Sequence, residues 1–173
     1  MEACVPRSHS ADPLADAVAA ASERARRLRR PVLAVALLPA PVADPLAVLA
    51  TATDGRRMLW SPPEREPALV GTGVAHRLCA ADADGLARRW RELAGEAVVA
   101  RDGAPAPLAF VGVDFDGGRR GPPGWPGHPV AEVMVPAITW VLRQGRAWWQ
   151  LAVVVDGSGA PPPLPSPRPP AAA

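Results

Sequence analysis

Between Phe110 and Pro136 the chain reads FVGVDFDGGRRGPPGWPGHPVAEVMVP. Two apolar runs flank a stretch so dense in glycine and proline that no helix can cross it. Glycine gives up more backbone entropy in a helix than any other residue, and proline lacks the donor that a helix needs. The segment therefore predicts two strands around a loop, and this places the middle of the chain in a sheet.

The same alternation of short apolar runs and breakers continues on both sides. Residues 32–38 (VLAVALL) lie between prolines and read as a buried strand. Residues 46–53 and 57–60 flank Asp54-Gly55, a dipeptide that favours a hairpin turn. Residues 68–74 (ALVGTGV), 108–115, 132–135, 138–143 and 147–155 read as further strands, with Gln144-Gly145 turning between the last two. Two segments have helical character. Asp12-Pro13 supplies an N-cap acid and a proline at the first helical position, and Leu14, Ala17, Val18, Ala21, Ala25 and Leu28 then recur on one face. Residues 82–93 (DADGLARRWREL) place Leu86, Trp90 and Leu93 together. The order is helix, strands, helix, strands, without a repeating strand–helix–strand unit. The expected class is α+β with a largely antiparallel sheet. A domain is expected over residues 12–156, with a disordered leader at 1–11 and a disordered Pro/Ala-rich tail at 157–173.

All 19 basic residues are arginine, and the formal net charge is +2. Lysine is absent from the sequence, so no lysine base or Schiff-base former is available in it. The bias toward Ala, Arg, Pro and Gly matches GC-rich codons and is read as genomic rather than functional. The run Arg26, Arg27, Arg29 and Arg30 reads as a solvated helix end, because no aromatic residues interleave it as they would in a nucleic-acid surface. No nucleic-acid or membrane partner is expected. The first residues lack the charged and apolar regions of a secretory signal, so a cytoplasmic location is expected.

Each candidate for chemistry has a simpler structural reading. Cys4 and Cys79 form no CxxC pair, and Cys79 reads as a half-buried filler. Gly71-Thr72-Gly73 lacks the rest of a phosphate-binding fingerprint, and its glycines read as sites of close backbone approach. Asp114 and Asp116 share a strand face and could meet a metal, yet no third ligand is near them in sequence. His9, His76 and His128 share no spacing; His128 is the one expected to be exposed. Trp148 and Trp149 must face opposite sides of a strand, which predicts an apolar face in need of cover. The prolines of the tail form a polyproline-type sequence that an SH3-like partner could read; the simpler expectation is solvated chain.

Three segments, in this order, resemble the N-terminal half of the isochorismate synthases among the chorismate-utilising enzymes. Residues 68–75 (ALVGTGVA), after Trp60-Ser61-Pro62, look like that family's glycine-containing strand. Residues 110–116 (FVGVDFD) are similar to its strand ending in Phe-Asp, and residues 125–136 (WPGHPVAEVMVP) to its Trp-to-Pro element. His128 stands where the family usually has Phe, and Val113 where it has a small residue. The resemblance implies an incomplete half of a large α/β sandwich built from two intertwined halves. The complete enzyme would bind Mg2+ and chorismate, adding water at one ring carbon while hydroxide leaves another. It also implies that the catalytic lysine and the Mg2+-binding glutamates belong to later segments than those matched. No catalytic residue and no metal ligand is therefore assigned to this chain, its substrate-binding residues are left open, and no cofactor is expected in it. The expectation is a non-catalytic portion that is inactive alone, truncated or completed by a separate catalytic half pairing with its sheet edges, and meeting chorismate only when completed. A stand-alone binding module and the related anthranilate and aminodeoxychorismate synthases are the other readings.

Overall fold

In the computed structural model, residues 12–53, 56–64, 66–100, 107–113, 129–158 and 163–170 are described. Asp114, Asp116 and His128, like Cys4, His9 and the Asp54-Gly55 dipeptide, lie outside them.

The first helix, α1 (Pro13–Leu28), starts as its sequence dictates. The Asp12 carboxylate accepts hydrogen bonds from the backbone N–H groups of Leu14 at 3.0 Å and Ala15 at 3.2 Å. The helix ends at Arg29, whose φ of 53° is left-handed. Its buried residues are Leu14, Ala17, Val18, Ala21 and Ala25, the face expected from their spacing.

The chain then enters a six-stranded sheet, next to one of its edges. Its strands are β1 (Val32–Pro39), β2 (Arg57–Trp60), β3 (Ala68–Thr72), β5 (Val98–Val99), β8 (Ile138–Arg143) and β9 (Arg146–Val155), in the order β2-β3-β8-β9-β1-β5. All pairings are antiparallel except β1 with β5. Gln144 and Gly145 have φ of 53° and 66°, a turn whose twist suits the β8–β9 hairpin. A second sheet holds β4 (His76–Ala80), β6 (Phe110–Val113) and β7 (Ala131–Val135), in the order β4-β7-β6 and antiparallel throughout. The class is α+β, as expected.

The sequence reading fails at residues 46–53. They do not form a strand: Pro45–Ala50 is a short helix, α2. The Asp44 carboxylate accepts from the Leu46 N–H at 2.7 Å and Pro45 occupies the first helical position, the same arrangement that opens α1. A hairpin of 46–53 with β2 does not form; β2 pairs with β3 instead. Strands β4 and β5 were not anticipated. The helix α3 (Ala83–Gly95) was, with Asp82 as N-cap and Leu86 buried.

Two cores lie on opposite faces of the large sheet. On one, α1 and α2 cover Val32, Ala34, Ala36, Val70, Trp140 and Trp149. On the other, the small sheet and α3 cover Leu33, Val35, Leu37 and Ala152. The alternation along β1 sends successive residues into different cores. Trp149 is 6% exposed in the first, and Trp148 packs at the margin of the second. The apolar face expected to lack cover is therefore covered by the small sheet and α3. Exposed apolar residues remain at the sheet edges: Leu59 and Trp60 on β2, Val111 and Val113 on β6.

The sheets meet where β7 passes through Pro136 into β8. Here Gly71 works as the sequence suggested. A Cβ on Gly71 would lie 2.7 Å from Pro136 Cγ and 2.9 Å from Phe110 Cε2, so only glycine allows this approach. Gln150, 1% exposed, ties the start of β6 to the large sheet. Its side-chain oxygen accepts from the Leu108 N–H at 2.9 Å, and its side-chain nitrogen donates to the Leu108 carbonyl at 3.1 Å. The amide thus replaces a missing strand partner.

Candidate functional site

The helical layer leaves a cleft of about 230 Å³ beside α2. Val70 of β3, Ile138 of β8 and Trp149 of β9 are among its apolar lining residues. Thr51, Thr53 and Thr72 bring hydroxyls to it. Pro165, Ser166 and Arg168 of the final described segment also line it. The cap of α2 joins these parts. The Thr51 hydroxyl lies 2.7 Å from the Val48 carbonyl and 3.2 Å from the Arg168 carbonyl, so its one proton is shared between two acceptors. Among the described residues no carboxylate or imidazole lines the cleft. Its chemistry is that of a binding surface: hydroxyl donors, an indole and one guanidinium.

The residues singled out from the sequence are dispersed. His76 opens β4 and is half-buried; burial lowers its pKa, and the Arg89 cation lowers it further. Cys79, also half-buried, is a free thiol on the same strand, and Arg89 donates to its backbone carbonyl. Arg77 and Glu132 form an ion pair across β4 and β7, which holds Arg77 further above its ordinary value. In the arginine run and at Arg24 just before it the roles divide. Arg24 and Arg30 both pair with Glu96, the C-cap of α3, and the Arg24 hydrogen bond leads in holding the Glu96 carboxyl below its ordinary value. Arg26 donates instead to the Ser22 carbonyl at 3.4 Å. These pairs tie α1 to α3 around the β5 edge of the large sheet.

Among the described residues no group of three or more His, Cys, Asp or Glu side chains is placed to hold a metal ion. The described residues therefore do not fit the Mg2+ that the resemblance implies for a complete enzyme. Nor, among the described residues, is any helix long and apolar enough to cross a membrane. The cleft was not foreseen. Its residues come from five separated segments, and no local spacing announces them.

The family model described as "Chorismate binding enzyme" matches residues 18–163. No curated protein matches. Four solved chains match. One is MenF, the menaquinone-specific isochorismate synthase from Escherichia coli, at 19% identity and a TM-score of 0.49. That match covers 81% of this chain and 30% of the MenF chain, so this chain spans less than a third of the matched enzyme.

Proposed function

Because the chain belongs to the chorismate binding enzyme family, we propose that it serves in the conversion of chorismate to isochorismate, as the N-terminal, non-catalytic portion of an isochorismate synthase. The observation that carries this reading is the family match over residues 18–163. The Trp-Pro-Gly-His-Pro element at 125–129 favours isochorismate synthase over the sibling activities. A sequence without lysine contains no lysine to activate water, so in this reading the chain is inactive by itself. The catalytic groups and the Mg2+ ligands come from a further portion, in the same polypeptide or a separate one. The reaction would serve menaquinone or siderophore synthesis in the cytoplasm.

The test is an isochorismate assay on the purified chain with chorismate and Mg2+, alone and with lysate of the source cell. The expected result is no turnover by the chain alone; turnover above the lysate background when both are present would mark the missing portion as a separate polypeptide. Turnover by the pure chain would overturn the reading.

One observation favours a second reading, a stand-alone chorismate-binding module. Both faces of the large sheet are already covered, so the chain needs no partner to bury them. Titration calorimetry with chorismate separates the two: saturable binding by the isolated chain supports the module, and no heat supports the incomplete enzyme.

A further inference from the structure

After β9 the chain does not leave the domain. The Asp156 carboxylate accepts from the Ser158 N–H at 3.0 Å, which turns the chain back. Gly157, at φ 76°, then lies so close to α1 that a Cβ there would sit 2.8 Å from the Arg26 backbone nitrogen. Leu164 lies in a groove along α1 with Ala15, Val18 and Ala19. Pro165, Ser166 and Arg168 reach the cleft beside α2. The segment thus follows two consecutive depressions of the helical layer.

Its sequence, PLPSPRPP over residues 163–170, is suited to a polyproline II helix. Such a segment presents pyrrolidine rings and carbonyl acceptors but few N–H donors. The cleft presents the complement. Trp149 offers an indole surface for the rings, and Thr51, Thr53 and Thr72 offer hydroxyl donors. One of these contacts is made, from Thr51 toward the Arg168 carbonyl. A polyproline segment is extended before it binds, so little conformational entropy is lost on docking. Among the described residues the cleft has no carboxylate, so the Arg168 charge is not what is recognised.

We propose that the cleft between α2, β3 and β8 is a docking groove for proline-rich peptides, and that residues 163–170 lie along it in cis. The groove is independent of chorismate chemistry. It reverses the roles expected from the tail alone: the proline-rich segment is bound by its own domain, and a foreign proline-rich segment must displace it.

The test uses the full chain and a fluorescein-labelled peptide, PLPSPRPP, followed by anisotropy. The double variant Leu164→Asp/Pro165→Asp weakens docking in cis, since Leu164 is 39% exposed and its change leaves both cores intact. The variant should bind the peptide saturably. The unaltered chain should bind it at least about ten-fold more weakly, because the tethered copy competes at an effective concentration near millimolar. Replacing the prolines of the peptide by alanine should abolish binding, whereas replacing its arginine by alanine should leave it within about three-fold, as the mode of recognition requires. Equal binding by both chains, or none by the variant, would overturn the proposal. So would binding that follows the arginine and not the prolines. A second measurement needs no variant. Nuclear Overhauser contacts between the Leu164 methyls and Val18 or Ala19 should appear in the unaltered chain, where the segment lies in the groove along α1; their absence would also overturn it.

Discussion

A single methyl group tests the seam where the two sheets meet. Gly71→Ala sets a carbon against Pro136 and Phe110, and neither ring can rotate away freely. Overpacking of this kind destabilises by about 1–3 kcal/mol. Urea denaturation should show a lowered midpoint with an unchanged slope. This role was legible in the sequence, where glycines inside a strand point to close approach. His76 was legible only as an isolated imidazole; its half-buried setting depends on a strand that the sequence concealed. The consequence is a pH dependence of fixed sign. The unfolded imidazole titrates near 6.5, and burial with Arg89 lowers the folded value. The unfolded chain therefore takes up the proton first as pH falls. The His76 contribution to stability is complete above about pH 6.5 and is lost as pH falls through the folded value. Denaturation midpoints measured between pH 7.5 and 5 should fall with pH, and His76→Gln should flatten that slope.

At the scale of elements, the long periodic segments were readable and the short ones were not. α1 and α3 each show a cap and several turns of apolar spacing. α2 has six residues, all apolar, so period could not decide between helix and strand. The deciding information lay just outside it, in Asp44-Pro45. Asp44→Ala should therefore destabilise the domain by about 1 kcal/mol, the usual effect of losing a cap. It should also raise amide exchange in α2 before that in β1. The strand β4 was hidden for a different reason. Its alternation of His76, Leu78 and Ala80 with Arg77 and Cys79 is genuine, but only Leu78 is strongly apolar, and partnership with β7 makes it a strand. The two residues of β5 carry no pattern at all; they are placed by the parallel register of Ala34 and Val35 with Val98 and Val99. The cleft was illegible at this scale, since it depends on α2 and on the path of residues 163–170.

For the whole molecule, the sequence indicated the α+β class but one sheet, where there are two with a shared wall. β1 stands in both cores, with Val32, Ala34 and Ala36 on one side and Leu33, Val35 and Leu37 on the other. Loss of β1 from the sheet opens both cores at once. Unfolding followed by near-ultraviolet dichroism of the tryptophans and by far-ultraviolet dichroism of the backbone should therefore trace coincident transitions. Two separated transitions would show that the helical layer and the small sheet are independent.

The pairing of β1 with β9, from Val32 opposite Val155 to Pro39 opposite Trp148, also sets an order in time. On the ribosome β1 emerges on the order of a hundred residues before its main antiparallel neighbour. At about 5–20 residues per second the wait is on the order of ten seconds, far longer than a small domain needs to collapse. Before α3 and β5 are made, only the helical side of β1 has cover, and after they arrive its main partner is still missing. Until β9 arrives, that edge of β1 stays unpaired and open to wrong strand partners.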